Sequence, residues 1–359
     1  MDHAFPLWWT AGADPKGGFH EKLDLNGAPV PAPRRLRVQA RQIYVYAEAG
    51  RLGWDGPWQD AVRHGVDFLL RAYLRPDGLF RTLVAPDGTA LDESVDLYDQ
   101  AFVLFALAQA YDVQGRPAAL RDAAVTLLAR LRETRGHPAG GFEEAQPRVL
   151  PLRSNPHMHM LEATLAWVGF GGPTPFAEVA NAIVTLALTC LIDPRTGAIG
   201  EYYDGDWRFA PGLEGLVREP GHQFEWAYLL DLSARVLGRD IGDASERLMA
   251  FGSAHGIDHA SKVAVFALDA DGAVTDPTAR LWAQTERLRS ALVLGGPDGG
   301  RWATDLAESA EAVARYLEMK VPGTWRDRLL PDGSFVEEAA PASSFYHIVS
   351  AFSVVLRQA

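Results

Sequence analysis

Apolar residues recur along most of the chain at helical spacing, in blocks separated by short glycine turns. Ala101 to Tyr111, Ala123 to Leu131, Val179 to Leu191, Phe224 to Leu237 and Leu306 to Leu317 carry apolar side chains every three to four residues. That period places them along one face of an α-helix. The turns are Gly17-Gly-Phe19, Asp77-Gly-Leu-Phe80, Gly140-Gly-Phe142, Gly197-Ala-Ile-Gly200, Asp271-Gly-Ala-Val274 and Asp332-Gly-Ser-Phe335, spaced roughly 60 residues apart with one longer step. Each interval has room for two helices and a tight turn. Six helical hairpins that bury a common centre close into an (α/α)6 toroid, which removes the exposed ends an open solenoid must cap. The pattern therefore predicts an all-α (α/α)6 barrel, a single domain over residues 1–359.

Polar residues break into the apolar blocks at helix starts. Asn155-Pro-His-Met-His-Met-Leu-Glu162 opens the apolar run Leu161 to Phe170. At about 100° per residue Asn155, His159 and Glu162 share a face, and His157 points elsewhere. In Gly221-His-Gln-Phe-Glu225, His222 and Glu225 stand one turn apart, and His347 follows Phe345-Tyr346. Arg41 lies about 23 residues after its glycine turn, Asp96 and Gln100 about 20, His159 about 18, and His222 and Glu225 a little over 20. Trp282, Gln284 and Glu286 come sooner after the fifth turn, as His347 does after the sixth. Each polar group thus falls near the start of the first helix of its unit. In a closed toroid equivalent positions face the axis at one end, so motifs distant in sequence line one pocket.

Composition narrows the partners. A net charge of −12 argues against a nucleic acid or a membrane surface. The local cluster Arg34, Arg35, Arg37 and Arg41 could still attract an anionic small molecule. The single Cys190 excludes an internal disulfide and fits a reducing compartment. Met1 to Pro6 lacks the basic start and apolar core of a signal peptide, and no apolar run approaches the ~20 residues that span a bilayer. These features predict a cytoplasmic protein. Without a Walker A loop or a Rossmann glycine fingerprint, no nucleotide cofactor is expected.

Together the motifs Val38-Gln-Ala-Arg41, Asp96-Leu-Tyr-Asp-Gln-Ala-Phe102, Asn155 to Glu162, Pro220-Gly-His-Gln-Phe-Glu-Trp226, Trp282-Ala-Gln-Thr-Glu286 and Tyr346-His347 resemble the N-acylglucosamine 2-epimerase superfamily. They occur in family order across nearly the whole chain. The resemblance implies an (α/α)6 barrel that isomerises or epimerises aldoses by proton transfer without cofactor or metal, with several dimeric members. It implies an acid/base pair in His222 and His347, Arg41 beside the reacting oxygens and Glu225 as carboxylate partner of the catalytic histidine. His159, Asn155, Trp282, Glu286, Asp96, Gln100, Arg37 and Tyr346 would surround a monosaccharide. Gln100 stands where several members have His. Pro341 to Tyr346 contains no Trp, where cellobiose epimerases have one shortly before the histidine. That departure, with the Pro220 to Trp226 block, favours the mannose isomerase branch, acting on D-mannose or a mannose-like aldose; Arg34, Arg35, Arg37 and Arg153 could accept its 6-phosphate, although the chain has no dedicated phosphate motif.

The chemistry matches those residue types. The proton on C2 of an aldose becomes acidic when the ring opens and C1 is a carbonyl, and a base near neutral pKa is imidazole. The enediolate then needs a fixed cation, which a guanidinium supplies through two donors. Return of the proton to C1 gives the ketose; delivery to the opposite face of C2 gives the epimer. The readings set against this are a 2-epimerase, a glycoside hydrolase using Glu225 and Glu286, a metal-dependent isomerase using His157, His159, His222 and Glu225, and a non-catalytic helical scaffold. Structural roles compete at single positions: Trp282, Phe345 and Tyr346 as core, Glu286 as an i,i+3 partner of Arg289, Asp96 and Gln100 as part of a capped helix start.

Overall fold

The computed structural model describes residues 1–358, and its twelve α-helices alternate between an inner and an outer ring. The inner helices are α2 (Leu36–Arg51), α4 (Leu97–Val113), α6 (Ser154–Gly169), α8 (Pro220–Leu237), α10 (Leu281–Gly295) and α12 (Ala342–Gln358). The outer helices are α1 (Ala4–Thr10), α3 (Trp58–Ala72), α5 (Ala118–Arg135), α7 (Thr174–Leu186), α9 (Ala244–His255) and α11 (Ala303–Leu317). Each inner helix packs on the next, and α12 returns to α2, so the ring is closed. The sixth hairpin joins the chain ends: Trp8 of α1 stacks on Trp325 at 4.7 Å, and Trp8 and Trp325 meet Phe345 of α12 at 5.8 and 5.1 Å.

The two rings differ in pattern because they differ in exposure. The inner helix α4 buries Leu97 and every residue from Asp99 to Ala110, since it touches neighbours on all sides. The outer helix α3 buries Ala61, Val62, Gly65, Val66, Phe68, Leu69 and Ala72, a single apolar stripe. The segment Thr174–Leu191, comprising α7 and a π-helical turn, is long and apolar enough to meet the length and composition of a membrane span, contrary to the expectation above. Here α7 packs against α6 and α8.

Each inner helix is tied to the turn that precedes it. Position four of α2, α4, α8 and α10 is a glutamine whose amide meets both backbone groups of one turn residue. Gln39 accepts from Phe19 N at 2.7 Å and donates to Phe19 O at 2.9 Å. Gln100 does the same to Phe80, Gln223 to Ile199 and Gln284 to Ala264, all between 2.8 and 3.0 Å. In α6 the position is His157, whose Nε2 accepts from Phe142 N at 2.9 Å. In α12 it is Phe345, packed on Trp325. Gly18 shows why such turns favour glycine: its φ is +73°, and a Cβ there would stand 2.7 Å from Gln39 Oε1.

Two glycine turns of the sequence pattern belong to another element. Asp271-Gly272 and Asp332-Gly333 tip short hairpins bridged at Leu268–Val274 and Leu329–Phe335. The fifth repeat turn is instead Ile257–Ala264, which has no glycine and places Lys262 at φ +64°. The sixth lies around Gly323, ahead of Trp325. This shift accounts for the one long interval. It also restores the spacing of Trp282, Glu286 and His347 to that of the other units.

Candidate active site

Inner-helix positions two and six converge at the end of the toroid where the inner helices begin. Position six carries Arg41, Phe102, His159, Glu225, Glu286 and His347; position two carries Arg37, Tyr98, Asn155, Gly221, Trp282 and Ser343. Nine of these twelve, all but Phe102, Gly221 and Glu286, line a cavity of about 290 Å³. That is at the small end of the ~300–1,000 Å³ typical of small-molecule sites. Of the residues singled out in the sequence, His222, His347, Arg41, Glu225, His159, Asn155, Trp282 and Arg37 line it. Gly221 lets Trp282 approach α8, since a Cβ there would lie 2.4 Å from the indole. The indole sits between the rings of His222 and His347, at 5.0 and 5.7 Å.

The two histidines have opposite electrostatics. His222 Nδ1 donates to Glu201 Oε2 at 2.9 Å, with Glu219 Oε2 at 3.5 Å. Burial disfavours its charge, but Glu201, then Glu219, outweigh it and raise its pKa to about 10. His222 is therefore an imidazolium at neutral pH. His347 Nδ1 donates to Glu286 Oε1 at 2.7 Å. Burial, then the charges of Arg41, His159 and Arg289, hold His347 well below the usual imidazole value. With Nδ1 engaged, its Nε2 keeps a lone pair. His159 is likewise held down to about 4 by burial, with Nδ1 donating to Glu162 Oε2 at 3.1 Å.

Arg41 reaches across the pocket to Tyr98 Oη at 2.6 Å and Ser343 O at 3.3 Å, and its guanidinium lies 4.3 Å from the centre of the Phe102 ring. Its Nε has no protein partner among the described residues, nor does the buried Oδ1 of Asn155. Beneath the cavity three carboxylates, Glu162, Glu225 and Glu286, surround Arg289, which is ion-paired to Glu286 and 3.7 Å from Glu225. Burial, then repulsion from Glu286, raises the Glu225 pKa well above the usual carboxylate range. Glu162 is held ionised: bonding to His159, the charge of Arg289 and a hydrogen bond from Tyr346 outweigh its burial.

Several expected roles change. The carboxylate partner of His222 is Glu201; Glu225 instead lies 4.0 Å from His159 and 3.7 Å from Arg289. Gln100 does not reach the cavity, because both ends of its amide are spent on Phe80. Asp96 caps α4, accepting from Tyr98 N at 2.8 Å, and lies 3.4 Å from Arg153. Glu286 and Tyr346 sit behind the lining, bonded to His347 and Glu162. Arg34 is buried against Asp14 and Phe68, away from the site. Glu201, Glu219 and Tyr98 were not singled out. A signal for Glu201 exists: an acid stands two residues past the clamped turn residue in four units, as Glu21, Glu144, Glu201 and Asp327. Each holds a cation or imidazole: Arg35, Arg153, His222 and Arg280 respectively.

The sequence model of the N-acylglucosamine 2-epimerase (GlcNAc 2-epimerase) family matches residues 17–351. The chain belongs to this family. It is 43% identical to a mannose-6-phosphate isomerase of Rhizobium meliloti over 98% of this chain and 93% of that protein. It is 30% identical to a D-mannose isomerase of Thermobifida fusca over 90% and 84%. The cellobiose 2-epimerase of Bacillus thermoamylovorans superposes with a TM-score of 0.88 over 100% and 97% of the two chains at 16% identity, a likeness of fold. The N-acylglucosamine 2-epimerase family places the chain among enzymes of the isomerase class.

Proposed function

We infer that the enzyme interconverts a mannose-type aldose and its 2-ketose through a cis-enediol. The observation that carries this reading is the pair His347 and His222 in one monosaccharide-sized cavity, one neutral and one protonated. Environments that drive two pKa values apart assign a base and an acid. His347 Nε2 takes the proton from C2 of the open-chain aldose. The C–H electrons form the C1–C2 double bond, and the carbonyl oxygen O1 takes a proton from His222 Nε2. Arg41 stabilises the charge on O1 and O2 as it develops. His222 then accepts the proton of O2, the C2 carbonyl forms, and C1 recovers the proton held by His347. Atoms and charge balance, and no redox partner is required. The mannose isomerases among its relatives support the same substrate class.

The protonated His222 also favours a second reading, because a second acid facing C2 from the other side would give the epimer. Proton NMR of D-mannose in D2O separates them. Fructose carrying deuterium is the expected product, and His347→Gln should abolish both turnover and exchange. Glucose as the first product would make the enzyme a 2-epimerase. Absence of exchange into either D-mannose or its 6-phosphate would refute the isomerase reading.

A further inference from the structure

The cavity does not end at the sugar-sized chamber. Toward solvent it meets a second depression of about 560 Å³, and Arg35, Arg280 and Ser343 line both. Arg35 and Arg280 are the N-cap residues of α2 and α10, and Arg37 lies at the second position of α2. Three guanidinium groups therefore ring the neck, beside Ser343 in the first turn of α12.

The way these cations are held is as informative as their number. Arg35 gives Nε and Nη2 to Glu21, Arg280 gives the same two nitrogens to Asp327, and Arg37 Nε lies 2.8 Å from Asp99. The carboxylates are the buried partners, with side-chain exposures of 7%, 4% and 0%, against 43%, 38% and 28% for the arginines. The anions fix the guanidinium planes from behind. Nη1 of Arg35 and Arg280, and both terminal nitrogens of Arg37, have no hydrogen-bond partner among the described residues. Glu219 and Glu225 also face the inner chamber, and Glu338, paired with Arg328, lines the outer depression. Each guanidinium thus keeps N–H donors that its own carboxylate does not use, and a phosphate offers them anionic acceptor oxygens that the hydroxyls of a neutral hexose do not.

We propose that this neck is a phosphate subsite in which Arg35, Arg37 and Arg280 bind the phosphate of an aldose 6-phosphate, making the phosphorylated sugar the preferred substrate. The register of the chain supports the fit. N-cap and position six of an inner helix differ by about 9 Å along its axis at ~1.5 Å per residue. That separation is comparable to the distance from C2 to the phosphate in an open-chain hexose 6-phosphate. C2 then lies at the level of His347 while the phosphate reaches the arginines, and guanidinium forks suit phosphate oxygens.

The proposal rests on the isomerase reading for its substrate, but its binding site is tested separately. Ketose formation from D-mannose 6-phosphate and D-mannose is compared in the wild-type enzyme and in Arg37→Gln and Arg280→Gln. The wild type is expected to prefer the phosphate ester by about 100-fold in kcat/KM, and each substitution to cut that preference by about tenfold, chiefly through KM. Equal use of the two sugars by the wild type, or substitutions that reduce both equally, would overturn the subsite and leave the isomerase reading standing. Titration calorimetry with inorganic phosphate provides the second arm. Binding that weakens in Arg280→Gln is expected even if neither sugar is turned over, a result that would remove the isomerase reading alone. No phosphate binding to the wild type would overturn the subsite.

Discussion

Replacing Glu201 with Gln tests the acid in this site. The amide that replaces the carboxylate keeps an oxygen to accept from His222 Nδ1 but removes the charge nearest to it, at 2.9 Å. His222 stands at about 10 against an ordinary 6.5, a net preference for imidazolium of ~5 kcal/mol at ~1.4 kcal/mol per unit. Burial opposes that charge, so Glu201 and Glu219 together supply more than the net figure. If Glu201 supplies about half of the net, the substitution lowers His222 by about two units, to about 8. The alkaline limb of the kcat/KM profile should then move from near 10 to near 8. Stability follows the same sign. A raised folded-state pKa stabilises fully below the unfolded value of 6.5 and loses that stabilisation as pH rises through about 10. The Tm difference between wild type and variant should therefore be present at neutral pH and close as pH approaches about 10. An alkaline limb that stays in place, with activity reduced equally at every pH, would refute His222 as the titrating acid.

Two further substitutions separate scaffold from site. Gln100→Ala leaves Phe80 N and O unpaired in a buried turn, at ~1–3 kcal/mol for each group. It should lower Tm while leaving KM for the sugar near wild type; a raised KM with unchanged Tm would return Gln100 to the substrate. Gly221→Ala places a methyl 2.4 Å from the Trp282 indole and displaces the ring that separates His222 from His347. A loss of about 10²-fold in kcat/KM is expected, and wild-type kinetics would show that the position of Trp282 does not matter.

What the sequence disclosed depended on where the physical constraint was written. Helices of both rings are legible because apolar periodicity over ten or more residues is a strong signal: α4 and α8 of the inner ring and α5, α7 and α11 of the outer ring fall where the blocks predict. Position-six residues were legible for the same reason: a charge or imidazole at the start of a helix buried on all sides stands out against its neighbours. The fifth and sixth turns were misplaced because glycine marks a conformation, not a repeat. Lys262 adopts the left-handed conformation without it, and glycines in two downstream hairpins imitated the signal. Gln100 was misread because a buried polar side chain looks alike whether it meets a substrate or a backbone. Only comparison with Gln39, Gln223 and Gln284 at the same helix position distinguishes the two. Glu201 lies 21 residues before His222, beyond any helical period. Its position relative to the turn repeats in Glu21, Glu144 and Asp327, so the buried acid belongs to the scaffold's own repeat. The same device that fixes an arginine in three units fixes the imidazole of His222 in the fourth. The acid partner of His222 therefore carries the register of the fold and not that of the histidine motif.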